Sequence, residues 1–255
     1  MASPAAMHSL TSRPSYLDIE LLVVGYSVMI VRKLRKSIMN SAPLDFNRLP
    51  RLITFSAIAL VLTAIVFNPA IAQTPVAPPG SGTATLPYRI GELGHLAWIE
   101  ANAGSSSGKY YTVQNDIDAS ATAAWNGGAG FAPIGTPSSP FMGIFNGSGA
   151  VIINLTILRP DEYNVGLFGV IGSCSVVKNT GLAGCSIAGD HFVGGLVGHN
   201  SGGTLSECHV AGSISGKLAV GGLSGVDWGT VSDCYSTAQV SGGDDVGGLI
   251  GATWG

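Results

Sequence analysis

The phrase Val-Gly-Gly-Leu-x-Gly constrains this chain more than any other feature. It begins at Val193, Val220 and Val246, after a shorter relative, "VGLFG", at Val165. The spacings are 28, 27 and 26 residues. The agreement extends beyond glycine: "TLSECHVAGSISG" (204–216) lies on "TVSDCYSTAQVSG" (230–242) at an offset of 26. Periods of about 20–50 residues mark architectures built by stacking like on like, because one unit of that size cannot bury its own apolar face.

Each copy also has an inner period of two. Cys208, Val210, Gly212 and Ile214 alternate with His209, Ala211 and Ser213, and Cys234, Ser236, Ala238 and Val240 alternate with Tyr235, Thr237 and Gln239. Such alternation marks a strand with one buried face. Helices are disfavoured by the glycine content, 36 of 37 glycines falling after residue 72. The predicted fold is all-β, a parallel β-solenoid with coils of 26–28 residues set by these spacings. Glycine recurs either for positive φ or for close approach of coil backbones. Val193, Val220 and Val246, then Leu196, Leu223 and Leu249, form the expected core columns, with Cys208 above Cys234 as packed thiols. A disulfide between side chains leaving parallel neighbours in one direction suits the required dihedral poorly.

The front of the chain differs in kind. Residues 52–67 are apolar or small, Arg48 and Arg51 precede them, and Ala70-Ile71-Ala72 follows. This is the pattern of a secretory signal peptide (39–72) cut near Ala72, before Gln73. Its apolar run is shorter than the roughly 20 residues of a membrane span. Residues 1–38 are an N-terminal extension or follow a start codon placed too early. Residues 73–85 form a Pro/Gly/Ser/Thr spacer, 86–164 a lead-in with one helix expected near 93–104, and 165–255 the repeats. The chain stops at "VGGLIGATWG", where earlier copies continue, which reads as truncation.

After residue 72 there are five Lys/Arg against twelve Asp/Glu. That balance offers no basic surface to nucleic acid, and the expected membrane link is the signal peptide or a missing anchor. No metal spacing, cofactor motif or nucleophile signature is present, so no catalytic, cofactor or metal residue is assigned. Asp116 and Asp118 suit turn hydrogen bonds, and Asp190, Lys217 and Asp244 suit an alternating surface ladder. His199 is expected in a turn. Trp228 and Trp254 recur at one corner, and Tyr235 aligns with His209 on an outward position. These four are the candidate binding surface.

"VGGLVGHNSGGTLSEC" and "VGGLSGVDWGTVSDC" resemble the GLUG motif of bacterial exported and surface proteins. The string from "YTVQNDIDAS" to "VGLFG" is similar to the segment that introduces such repeats. The resemblance covers about residues 86–255 and implies a right-handed parallel β-helix, as in adhesins similar to filamentous haemagglutinin and regions flanking immunoglobulin-A-specific metallopeptidases. The implied role is a secreted or cell-surface, non-catalytic stalk or adhesive surface for a host or neighbouring-cell glycan or protein. No His-Glu-x-x-His is present to carry peptidase chemistry. The alternatives are a carbohydrate-active β-helix enzyme, by fold analogy alone, and a passive segment of a larger surface peptidase.

Overall fold

The structure, a computed structural model, describes residues 73–253. The segments 1–38 and 39–72, the cleavage point and Trp254 lie outside the described residues.

The lead-in contains β1 (Tyr88–Ile90), helix α1 (Leu93–Ala101), β2 (Tyr110–Val113), β3 (Ile117–Asp118), β4 (Ile144–Asn146), β5 (Val151–Ile153) and β6 (Thr156–Leu158). Then come β7 (Phe168–Ile171), β8 (Val176–Lys178), β9 (Gly181–Ala188), β10 (His191–Gly194), β11 (Val197–Asn200) and β12 (Thr204–Ser206). The last stretch holds β13 (His209–Ser215), β14 (Leu218–Gly221), β15 (Ser224–Asp227), β16 (Thr230–Ser232), β17 (Tyr235–Ser236), β18 (Gln239–Ser241), β19 (Asp244–Gly247) and β20 (Ile250–Thr253).

These strands form four sheets, and every ladder is parallel. The first runs β1-β2-β4-β8-β12-β16, and the second is built on β3, β5, β9, β13 and β17, with β6 and β18 alongside. The third is β10-β14-β19 and the fourth β7-β11-β15-β20. The fold is thus all-β with few helices. From β12 the chain visits the second, third and fourth sheets in turn and returns to the first at β16. The Asn146-Gly147 turn makes no hairpin, since β4 and β5 belong to different sheets.

Register follows the sequence period. Val193 pairs with Val220 and Val220 with Val246. The Leu196 N–H donates to Leu223 O at 3.0 Å, and the Leu223 N–H to Leu249 O at 2.8 Å. Val193, Leu196, Val220, Leu223 and Cys208 are wholly buried, whereas Leu249 and Cys234 are partly buried and Val246 is 46% exposed. Each fully buried Leu stabilises the fold by about 2 kcal/mol.

The shrinking period has a structural cause. Val210 pairs with Leu182, 28 residues back, but Gly212 pairs with Cys185, 27 back, across a bulge. Asn200 faces Asp227, still 27 apart, while Thr204 faces Thr230, 26 apart. Between those pairs the turn Ser201-Gly202-Gly203 is shortened to Trp228-Gly229. One residue is lost in the bulge and one in the corner.

The motif glycines answer the choice left open by sequence in favour of close approach. A Cβ on Gly198 would lie 2.6 Å from Val165 N, one on Gly225 2.5 Å from Val193 N, and one on Gly251 2.5 Å from Val220 N. The third and fourth sheets therefore meet backbone to backbone. Within the motif, left-handed backbone falls one residue before each valine, at Asn164, Phe192, Ala219 and Asp245, with φ of 52–59°. Left-handed backbone costs a non-glycine residue about 1–2 kcal/mol.

The lead-in is filled differently. Rings of Tyr88, Tyr111, Phe141, Phe168 and Phe145 follow one another at centroid separations of 5.0–5.5 Å. Helix α1 adds Leu96, Ala97 and Ile99 to the same core.

Candidate functional site

The repeat places outward side chains in rows as surely as it places inward ones. Parallel pairing of β13 and β17 sets His209 opposite Tyr235, and their rings stack at 5.3 Å and 9°. Tyr235 is 58% exposed, leaving a free ring face.

A second row starts ahead of β7, at Tyr163. Its ring lies on His191 at 4.5 Å and 23°, and Phe192 stands edge-on to His191 at 6.3 Å. Phe192 is 6.0 Å from His199, which meets Trp228 edge to face at 4.7 Å. Five rings from four separate segments thus adjoin, with Tyr163 and Trp228 about half exposed at the two ends. Edge-to-face and offset contacts of this kind each stabilise by about 0.5–1.5 kcal/mol.

A carboxylate stands at each end of the row. Lys217 Nζ approaches Asp190 Oδ1 at 2.7 Å, and His191 Nδ1 lies 3.1 Å from Oδ2. The Lys217 hydrogen bond, aided by His191, holds the Asp190 carboxyl below the usual carboxylate range. Asp227 accepts the Asn200 Nδ2–H at 3.0 Å and the Gly229 N–H at 2.9 Å. Asn200 is wholly buried, and its Oδ1 accepts the Gly203 N–H at 2.7 Å. Burial lowers the His199 pKa, against the attraction of Asp227, which raises it.

Of the four residues proposed from sequence, Trp228 joins the five-ring row, His209 and Tyr235 form a separate pair on the second sheet, and Trp254 is outside the described residues. His199 lies in β11, not in a turn. Tyr163 and Phe192 were missed; a bulky Phe where the other copies carry Asn, Ala or Asp was the available signal. The expected ladder is half realised. Asp190 and Lys217 pair, but Asp244 takes register with Leu218, one position off. Asp190 is also largely buried, not on an open surface.

Of the two carboxylates expected to bond within a turn, Asp118 does so, whereas Asp116 reaches a backbone N–H 35 residues away. Asp116 Oδ1 accepts the Val151 N–H at 2.8 Å, and Asp118 Oδ1 the Ser120 N–H at 2.9 Å. Asp118, Asp190 and Asp227 sit on, or next to, three different sheets. Among the described residues, no group of three or more His, Cys, Asp or Glu side chains is placed to hold a metal ion. Also among them, no helix is long and apolar enough to cross a membrane.

No family model matches the chain. Two proteins share its sequence over more than half its length. Halomucin of Haloquadratum walsbyi is 38% identical over 149 residues, which is 57% of this chain and 2% of that protein. A protein of Evansella cellulosilytica, provisionally named a Gly-rich membrane protein, is 36% identical over 154 residues, 59% of this chain and 18% of its own. The match therefore spans a small part of either relative. In structure the chain is similar to a Bacteroides ovatus protein provisionally named an immunoglobulin A1 protease, with a TM-score of 0.51 and 22% identity over 69% of this chain and 64% of that one. This last likeness concerns the fold.

Proposed function

We propose that this chain is an exported, non-catalytic, right-handed parallel β-helix of GLUG-type repeats whose outer rings form a binding surface on a stalk. The observation that carries the reading is the row from Tyr163 to Trp228, built by residues from separate repeats whose rings adjoin at 4.5–6.3 Å. Flat rings about half exposed at Tyr163 and Trp228 match the apolar C–H face of a sugar, which lies against an aromatic ring. The names of the relatives, a mucin-like name and a membrane protein, support a place at the cell surface. The signal-like segment before Gln73 supports export. Carboxylates spread over separate sheets favour binding over hydrolysis, which requires two acids across one cleft.

The test is expression of the full chain in an exporting bacterium, followed by binding of the recovered protein to glycan and matrix-protein arrays. Tyr163→Ala and Trp228→Ala should each weaken binding about tenfold, the effect of losing one ring contact of roughly 1.4 kcal/mol. Retention in the cytoplasm would refute export. Uniform absence of binding would reduce the protein to a spacer.

A further inference from the structure

Gln73 is held at both ends of its side-chain amide. The Ala132 N–H donates to Oε1 at 2.8 Å, and Nε2 donates to Glu100 Oε2 at 3.1 Å. The orientation is fixed by chemistry: a backbone N–H can only donate, so the amide oxygen must face Ala132 and the nitrogen must face Glu100. The partners lie 59 and 27 residues away, so this is a tertiary seat and not a local turn. Ordering a glutamine side chain costs about 1.5–2 kcal/mol of rotamer entropy, and the seat holds the residue that cleavage near Ala72 would leave first.

We infer that Gln73, once freed as the terminal residue, closes in this seat to a pyrrolidone carboxylate, with Ala132 and Glu100 assisting the step. The inference rests on the export reading above, which supplies the free α-amine. With Oε1 and Nε2 held by these two partners, the neutral α-nitrogen of the same residue attacks Cδ to close a five-membered ring. The N–Cδ bond forms, and the charge growing on Oε1 is stabilised by the Ala132 N–H. With Cδ tetrahedral, Nε2 is an amine that accepts the proton of the Glu100 carboxyl. The Cδ–Nε2 bond then breaks and ammonia leaves, and the Glu100 carboxylate takes up the proton lost by the α-nitrogen. Atoms balance as one terminal glutamine giving one lactam and one ammonia, with no oxidant or co-reactant.

Burial raises the Glu100 carboxyl above its usual range, against the opposing charge of Arg159, which favours the protonated form the step uses. Glu100 also lines a cavity of about 280 Å³ with Asn102, Ser105, Thr136 and Ser139. That is room for several waters, and for the departing ammonia to exchange with them.

The experiment expresses the full chain in an exporting host, pulse-labels it and reads the N-terminal peptide by mass spectrometry through a chase. It compares native protein, protein in urea, and Glu100→Gln. The expected peptide begins at residue 73 and is lighter by one ammonia. Conversion should be about 100-fold faster in native protein than in urea, the scale of one general acid, and Glu100→Gln should fall to the urea rate. A terminus at Gln73 that keeps its ammonia, or converts equally in all samples, overturns the cyclisation and leaves export standing. A terminus elsewhere, or none, overturns both. The urea comparison decides the matter even if the variant does not fold.

Discussion

Replacing glycine by alanine at three places separates close approach from backbone conformation. Gly195 and Gly248 hold the same place in the motif. A Cβ on Gly195 would lie 2.6 Å from Gly222 O and 2.5 Å from a Val210 methyl, whereas one on Gly248 would meet nothing within 4 Å. Ordinary contact begins at 3.4 Å, so the Gly222 carbonyl must retreat by about 0.8 Å to accept Gly195→Ala. Neither glycine has a left-handed φ, so the difference is steric. Overpacking a tight interior costs about 1–3 kcal/mol, and a clash with immovable backbone belongs at the upper end. Gly195→Ala should therefore lose about 3 kcal/mol, and Gly248→Ala should change stability by less than about 0.5 kcal/mol. Gly108→Ala supplies the third case, with φ of 68° and open space around the new methyl. It should cost about 1–2 kcal/mol from conformation alone. Urea titration by circular dichroism reads all three, with the slope checked because stacked repeats can unfold in parts. Equal losses at Gly195 and Gly248 would refute the close-approach argument.

Three further outcomes follow from the site and the core. Asn200→Leu strands Asp227 Oδ2 and the Gly203 N–H, and should destabilise the fold by about 3 kcal/mol in the same titration. Cys234 is pulled down to about 7 by its hydrogen bond from Cys208, while that bond and burial push Cys208 up. Peptide-mapped alkylation should label Cys234 with a half-maximal rate near that pH and leave Cys208 unlabelled in native protein. By NMR, His199 should titrate below the free-histidine range, and Asp227→Asn should move it lower still. The sign for stability is fixed by linkage. The unfolded chain binds the proton first, so the His199 contribution is present above about pH 6.5 and declines as pH falls from there to the folded pKa.

The register of the columns was legible because the ladder repeats almost without change at Val193, Val220 and Val246, although Val246 is 46% exposed where the first two are buried. The use of the glycines was only half legible. Composition cannot distinguish a residue needed for positive φ from one needed because another backbone lies against it, and Gly225 and Gly251 proved to be the second kind. The outward surface was least legible. Tyr163, His191 and Phe192 come together only through register between segments, and a shift of one residue would send a ring elsewhere, as it does for Asp244. Left-handed backbone at Phe192 and Ala219 had its cue only in the equivalent Asn164 and Asp245 of other copies, since neither Phe nor Ala favours it. Nor did any motif link Gln73 to Glu100 and Ala132, whose meeting depends on where α1 and the lead-in strands settle.

Where the third and fourth sheets touch with no side chains between them, mutation has almost no alphabet to draw on. Any letter larger than hydrogen pushes two strands apart, so the glycine phrase should persist through long divergence while its neighbours drift. Two chains that share the phrase thereby share a seam. What each one grips would be recorded a few residues away, at places such as Tyr163 or Tyr235, where selection is free to choose.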